Sequence, residues 1–161
     1  MNGNIYDAAL RYLSSRSRTV FEMRKYLAGK GYEEAETESL IAEFLSAGYL
    51  NDQDYCRRYF RYALSKGKGK RKFFYELREK GVDPSVMEIA FADFTEELLE
   101  EGTVFDEKKQ ALSEAEKVLR LSEIPQGEPV PEKILAKIAR KLQSRGFGSD
   151  VIYSVLGELR R

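Results

Sequence analysis

The chain has 161 residues, with 27 Lys and Arg against 27 Asp and Glu, so its formal net charge is zero and no global field draws it to DNA or to a membrane. It has no His and a single cysteine, Cys56, which excludes an intrachain disulfide, a histidine-based triad and a His/Cys zinc site. The opening MNGNIYDAAL lacks a basic segment followed by an apolar run, and no apolar stretch approaches the roughly 20 residues that cross a bilayer, so a cytoplasmic protein without a signal peptide is expected.

Apolar residues recur at helical spacing nearly throughout, and β-branched alternation is absent, so the expected fold class is all-α. The predicted helices cover residues 4–15, 19–30, 34–47, 52–65, 70–80, 84–99, 106–121, 131–144 and 149–159. TVFE at 19–22 is a capping box that opens the second helix, with Thr19 as N-cap and Glu22 at N3. LNDQDY at 50–55 offers Asn51 or Asp52 as the cap of the fourth. In SKGKGKRKFF, Gly67 reads as the stop of that helix and Gly69 as the entry to the fifth. DPS at 83–85 places Asp83 at the N-cap of the sixth helix and Pro84 at N1, where a missing N–H costs nothing. The weaker joints are EEGTVFD at 100–106 and SEIPQGEPVPE at 122–132. The second holds three prolines and lengthens the last part of the chain.

These helices form an internal repeat. YLAGKGY (26–32), ELREKGV (76–82) and KLQSRGF (141–147) share a leucine, a glycine four residues later and then an apolar residue. Downstream, Leu40, Ile41 and Phe44 recur as Ala90, Phe91 and Phe94 and again as Val155, Leu156 and Leu159. The chain therefore divides into three tandem three-helix repeats, 1–50, 51–101 and 102–161, expected to form an elongated curved array. No heptad pattern runs long enough to force a coiled coil, and a monomer is expected.

Charge is segregated along this repeat. Residues 57–80 hold ten Lys and Arg and two acids, whereas 82–107 hold nine acids and no Lys or Arg. In the first unit Arg11, Arg16, Arg18, Arg24, Lys25 and Lys30 precede a run of glutamates. A neutral chain can thus present cationic and anionic faces. The densest cluster is Lys66, Lys68, Lys70, Arg71 and Lys72, and it continues a face of the fourth helix that carries Arg57, Arg58 and Arg61. Lys70, Arg71 and Lys72 sit in a predicted first turn, where the helix dipole makes each cation unfavourable by a few tenths to ~1 kcal/mol. Cations beside free N–H groups at a helix start form an anion site, so an anionic partner is expected there. GKGKRK is neither G-x-x-x-x-G-K-[ST] nor G-x-G-x-x-G, and no strand precedes it, so it is not a nucleotide loop. Tyr55 and Tyr62 edge the apolar stripe of the fourth helix and read as rim core residues or as stacking aromatics. Cys56 lies on the stripe and reads as a small buried hydrophobe.

GYLNDQDYCRRYFRYALSKGKGKRKFFYELREKGV (48–82) resembles the signature of the RecX proteins, regulatory partners of the RecA recombinase: G-x-L-[ND]-D-x-x-[FY], a basic helix, then G-x-G with basic residues and E-L-x-x-K-G-[IV]. FEMRKYLAGKGY (21–32) and RKLQSRGFGSDVIYSVLGEL (140–159) resemble the family's first and last units, so the likeness covers roughly residues 5–160. Met23, Tyr26 and Phe74 depart from its commoner choices. The resemblance implies a non-enzymatic regulator that binds the RecA–single-stranded DNA filament and depresses RecA ATPase, recombinase and strand-exchange activity, in DNA repair and homologous recombination. No cofactor or metal is implied. The contact residues expected are Arg57, Arg58, Arg61, Lys66, Lys68, Lys70, Arg71 and Lys72, with Arg16, Arg18 and Arg24 as an auxiliary patch. They would meet acidic RecA surface and reach single-stranded DNA phosphates. The alternative is a stand-alone helix-turn-helix-like nucleic-acid-binding protein, against which the basic helix RKFFYELREK has no Asn or Gln to read bases.

Overall fold

The computed structural model describes residues 4–160, and among these the chain forms nine helices and no strand: α1 (Ile5–Ser15), α2 (Val20–Gly29), α3 (Glu34–Ala47), α4 (Asp52–Ser65), α5 (Lys70–Glu79), α6 (Pro84–Glu100), α7 (Glu107–Ser122), α8 (Glu132–Ser144) and α9 (Ser149–Leu159). Their ends follow the local chemistry. Thr19 Oγ1 accepts from the Glu22 N–H at 3.1 Å while the Thr19 N–H donates to the Glu22 carboxylate at 3.0 Å, completing the expected capping box. Of the two candidate caps before α4, Asn51 takes the role, its Oδ1 accepting the Asp54 N–H at 3.0 Å. Asp52 instead accepts the Val20 N–H at 3.0 Å. Asp83 accepts the Ser85 N–H at 2.8 Å with Pro84 opening α6. The three repeat glycines Gly31, Gly81 and Gly146 have φ of 89°, 82° and 91°, the left-handed geometry that ends a helix without a Cβ penalty.

The described residues form two compact bodies, one running to Arg58 and resuming over Glu76–Asp93, the other comprising Tyr59–Tyr75 and the chain from Phe94 onward. In the first, α1, α2 and α3 pack on one another around Ile5, Ala9, Met23, Leu27, Leu40, Ile41, Phe44 and Leu50. Cys56, Leu77 and Met87 are buried in the same body. In the second, α7, α8 and α9 pack around Ala111, Ala115, Leu135, Ile138, Leu142, Phe147 and Val155. There Phe60 meets Phe73 and Phe94 at ring-centroid distances of 5.6 and 5.5 Å, and Phe105 lies 6.3 and 6.2 Å from Phe73 and Phe94. The tilted and edge-on rings add to the area they bury. No described helix is long and apolar enough to cross a membrane.

Candidate functional site

The basic turn between α4 and α5 is held by its own body. Gly67 has φ of 74° and closes α4, its N–H donating to the Leu64 carbonyl at 3.1 Å and the Lys68 N–H to Ala63 at 3.0 Å. The Gly69 N–H then donates to the Arg145 carbonyl at 2.7 Å and the Arg71 N–H to Gly146 at 3.2 Å. Lys72 Nζ donates to the Ser144 carbonyl at 3.0 Å, and Arg145 Nη1 to the Lys66 carbonyl at 2.8 Å. A Cβ on Gly69 would lie 2.6 Å from the Gly146 carbonyl oxygen, so only glycine permits this approach of turn to turn.

The expectation of free N–H groups at the start of α5 is not met. Those of Gly69 and Arg71 are bonded to the α8–α9 turn, that of Lys72 bonds the Gly69 carbonyl at 3.1 Å, and that of Lys70 donates to the Glu107 carboxylate at 3.2 Å. The acid that a helix start favours comes from α7, so the backbone here does not require an anion from outside.

The side chains divide into two groups. The three arginines expected on α4, Arg57, Arg58 and Arg61, have carboxylates of the same chain. Asp54 takes Arg57 at 2.8 Å and Arg58 at 2.8 Å, and Arg58 also reaches Ser17 Oγ at 3.3 Å, which ties it to the auxiliary patch. Arg61 makes a two-pronged contact with Glu101 at 2.6 and 3.2 Å and approaches Glu97 at 3.4 Å. That hydrogen bond holds the Glu101 carboxyl below the ordinary range and raises Arg61 further. In the auxiliary patch, Arg16 pairs with Glu22 at 2.9 Å and Arg24 with Glu38 at 2.5 and 3.1 Å. Burial by itself would raise the Glu22 carboxyl, but the Thr19 N–H and Arg16 outweigh it and hold it low. Arg18 lies 3.9 Å above the Tyr12 ring, which stacks on Tyr26 at 3.9 Å, and its Nε donates to the Tyr12 carbonyl at 3.2 Å.

The lysines of the turn are placed otherwise. Lys66 Nζ is 5.7 Å from the Tyr62 ring, Lys68 Nζ is 5.9 and 5.5 Å from Tyr59 and Tyr62, and Lys70 Nζ is 5.3 Å from Phe74. Among the described residues no carboxylate pairs with Lys66, Arg71 or Lys72, so this part of the cluster keeps its charge uncancelled by ion pairing. Cys56 is fully buried and its thiol is pushed up to about 12 by burial and by Asp52, which leaves an inert apolar side chain. No group of Cys, Asp and Glu among the described residues could hold a metal ion.

Three contributors were passed over in the sequence. Tyr75 stands on α5 beside Arg71 and is 63% exposed, and Gln143 and Ser144 face it from the end of α8. The signal for Tyr75 was its spacing from Arg71, one helical turn on the same face. Gln143 and Ser144 carry no local signal.

Two family models match the chain, one described as RecX, first three-helix domain, over residues 6–44, and one as RecX, second three-helix domain, over residues 51–90. The regulatory protein RecX of Vibrio parahaemolyticus is 34% identical over 146 residues, spanning 91% of this chain and 85% of that protein. Its counterpart in Vibrio vulnificus is 32% identical over 152 residues, spanning 94% and 90%. The crystal structure of RecX from Lactobacillus salivarius is similar with a TM-score of 0.75 at 27% identity, over 96% of this chain and 94% of that one.

Proposed function

This chain belongs to the RecX family of regulatory proteins, and from that premise we propose that it binds the RecA–single-stranded DNA filament and inhibits RecA ATPase, recombinase and strand-exchange activity. The observation that carries the reading is the turn at 66–72, where a pinned backbone presents Lys66, Arg71 and Lys72 with no carboxylate among the described residues paired to them. A preorganised cationic surface docks on an anionic one at little ordering cost. Lys68 and Lys70 belong to the same surface. Arg57, Arg58, Arg61, Arg16, Arg18 and Arg24 contribute less, because each already has an internal partner that a docking event must displace or share. We read the chain as three repeats, 1–50, 51–101 and 102–161, acting as a monomer in the cytoplasm without a cofactor.

Charge reversal tests this reading. Lys70→Glu, Arg71→Glu and Lys72→Glu together should weaken inhibition of RecA ATPase at least about tenfold, since two or three charge contacts turned repulsive cost several kcal/mol. Arg24→Glu, which removes a paired arginine, should change it little. Unchanged potency in the triple variant removes this turn from the mechanism.

A further inference from the structure

The two bodies each contain a groove built by the same local device. In the first, Thr19 Oγ1 donates to the Lys80 carbonyl at 2.8 Å, which brings the start of α2 onto the turn that ends α5, with Phe21 over Gly81. In the second, the Gly69 N–H donates to the Arg145 carbonyl at 2.7 Å, which brings the start of α5 onto the turn that ends α8, with Lys72 over Gly146. Aligning Gly31, Gly81 and Gly146 makes these contacts equivalent: Thr19 corresponds to Gly69, and Lys80 to Arg145. Beside each contact lies an open groove, about 660 Å³ in the first body and about 490 Å³ in the second.

Their linings differ in sign. Glu22, Glu76 and Glu79 line the first groove alongside Lys25, Lys80 and the rings of Tyr12, Phe21 and Tyr26, with Phe21 also covering the glycine. In the second, Arg71 stands where Phe21 does, Lys72 replaces Glu22, Tyr75 replaces Lys25 and Ser144 replaces Glu79. Among the described residues no carboxylate lines this second groove, and Phe147 and Gly146 form part of its wall. A merely structural duplicate has no reason to lose every acid while keeping an exposed ring.

We infer that the groove of Arg71, Lys72, Tyr75, Gln143 and Ser144 is a subsite for one nucleotide of a single-stranded polynucleotide, with phosphate at Arg71 and Lys72 and the base stacked on Tyr75. Arg71 has a guanidinium free to fork onto phosphate oxygens. Tyr75 presents an aromatic face one helical turn away. Gln143 and Ser144 line the same groove within reach of a base edge or sugar. Cationic backbone contacts with an aromatic platform are the general means of holding a single strand without reading its sequence. The inference deepens the proposed function, naming which part of the filament this turn meets.

The test is fluorescence anisotropy of the full chain with labelled oligo(dT), without RecA and at low salt, beside an abasic strand of equal length. Tyr75→Ala should weaken oligo(dT) binding about fivefold or more, the range reported by removing one stacking aromatic. Tyr75→Phe should retain it, and Arg71→Ala should weaken both strands. Lys25→Ala, in the first groove, should leave both unchanged. Tyr75 is exposed and Arg71 has no side-chain pair among the described residues, so the variants should melt like the parent. No binding of oligo(dT) by the parent chain, equal binding of the two strands, or parental affinity in Tyr75→Ala overturns the inference. Parental oligo(dT) binding in these variants with lost RecA inhibition identifies an acidic protein surface as the occupant, overturning this inference while sparing the proposed function. Weakened oligo(dT) binding with intact RecA inhibition upholds the subsite and removes it from the inhibitory mechanism.

Discussion

The Lys70 N–H donates to the Glu107 carboxylate across 3.2 Å, joining the start of α5 to the start of α7. This one contact meets the need of a helix start that carries three cations in its first turn and no acid. Glu107→Ala should therefore destabilise the protein by about 0.5–2 kcal/mol, the cost of a lost N-terminal cap. Urea unfolding with an unchanged m-value would register it as a lower midpoint. A midpoint equal to that of the parent would show that the contact does not cap the helix.

Gly69 and Gly31 should respond differently to the same substitution. At Gly69 an alanine Cβ would meet the Gly146 carbonyl oxygen at 2.6 Å and the Phe147 nitrogen at 2.8 Å, both backbone atoms. Relief requires the two turns to part, breaking the bonds that pin the basic cluster, so Gly69→Ala should cost about 2 kcal/mol or more. Gly31 has open space around it and only its φ of +89° to defend, so Gly31→Ala should cost about 1–2 kcal/mol. Paired thermal melts of the two variants decide the order.

Stability should fall on the acid side, and Glu22 should contribute to that fall. Its folded carboxyl lies below the ordinary range, held there by the Thr19 N–H and Arg16 against the opposing effect of burial. Its contribution is complete above the unfolded-state value and is lost as pH falls through the lower folded value. Asp52 has the opposite sign, because burial raises it despite the Val20 N–H, so its ionisation opposes folding as pH rises. Glu22→Gln should flatten the fall of unfolding free energy below the ordinary carboxylate range, measured by denaturant melts from pH 6 down to about pH 3. An unaltered slope would remove Glu22 from the acid limb.

Cys56 should be silent to thiol reagents in the native protein. Its side chain is fully buried, and its thiol is pushed up to about 12, so neither access nor thiolate is available near neutral pH. Labelling should appear only with denaturant, along the same curve as global unfolding. Fast labelling in buffer would mean that the packing around α4 opens locally.

The helices were legible because their determinants are local. A capping box, a proline at N1 and a glycine after the last turn act through bonds three to five residues long, and Thr19, Pro84 and Gly81 each do in the fold what their neighbours in sequence implied. The repeat was legible for the same reason, since each copy solves one packing problem with the same spacing. Local rules also left gaps, as at residues 51 and 52, where two equally good caps adjoin and only the position of Val20 assigns Asp52 elsewhere.

What sequence alone determined about this protein is therefore its all-α class, its helix ends, its repeating unit and the site of its densest positive charge. Tertiary structure alone decided which of those charges remain available. Asp54 adjoins two arginines and could be guessed, but Glu101 reaches Arg61 from 40 residues away, Glu107 reaches Lys70 from 37, and Ser144 receives Lys72 from 72. Electrostatic pairing depends on distance through space and falls away over a few ångströms of water, whereas a sequence records only distance along the chain.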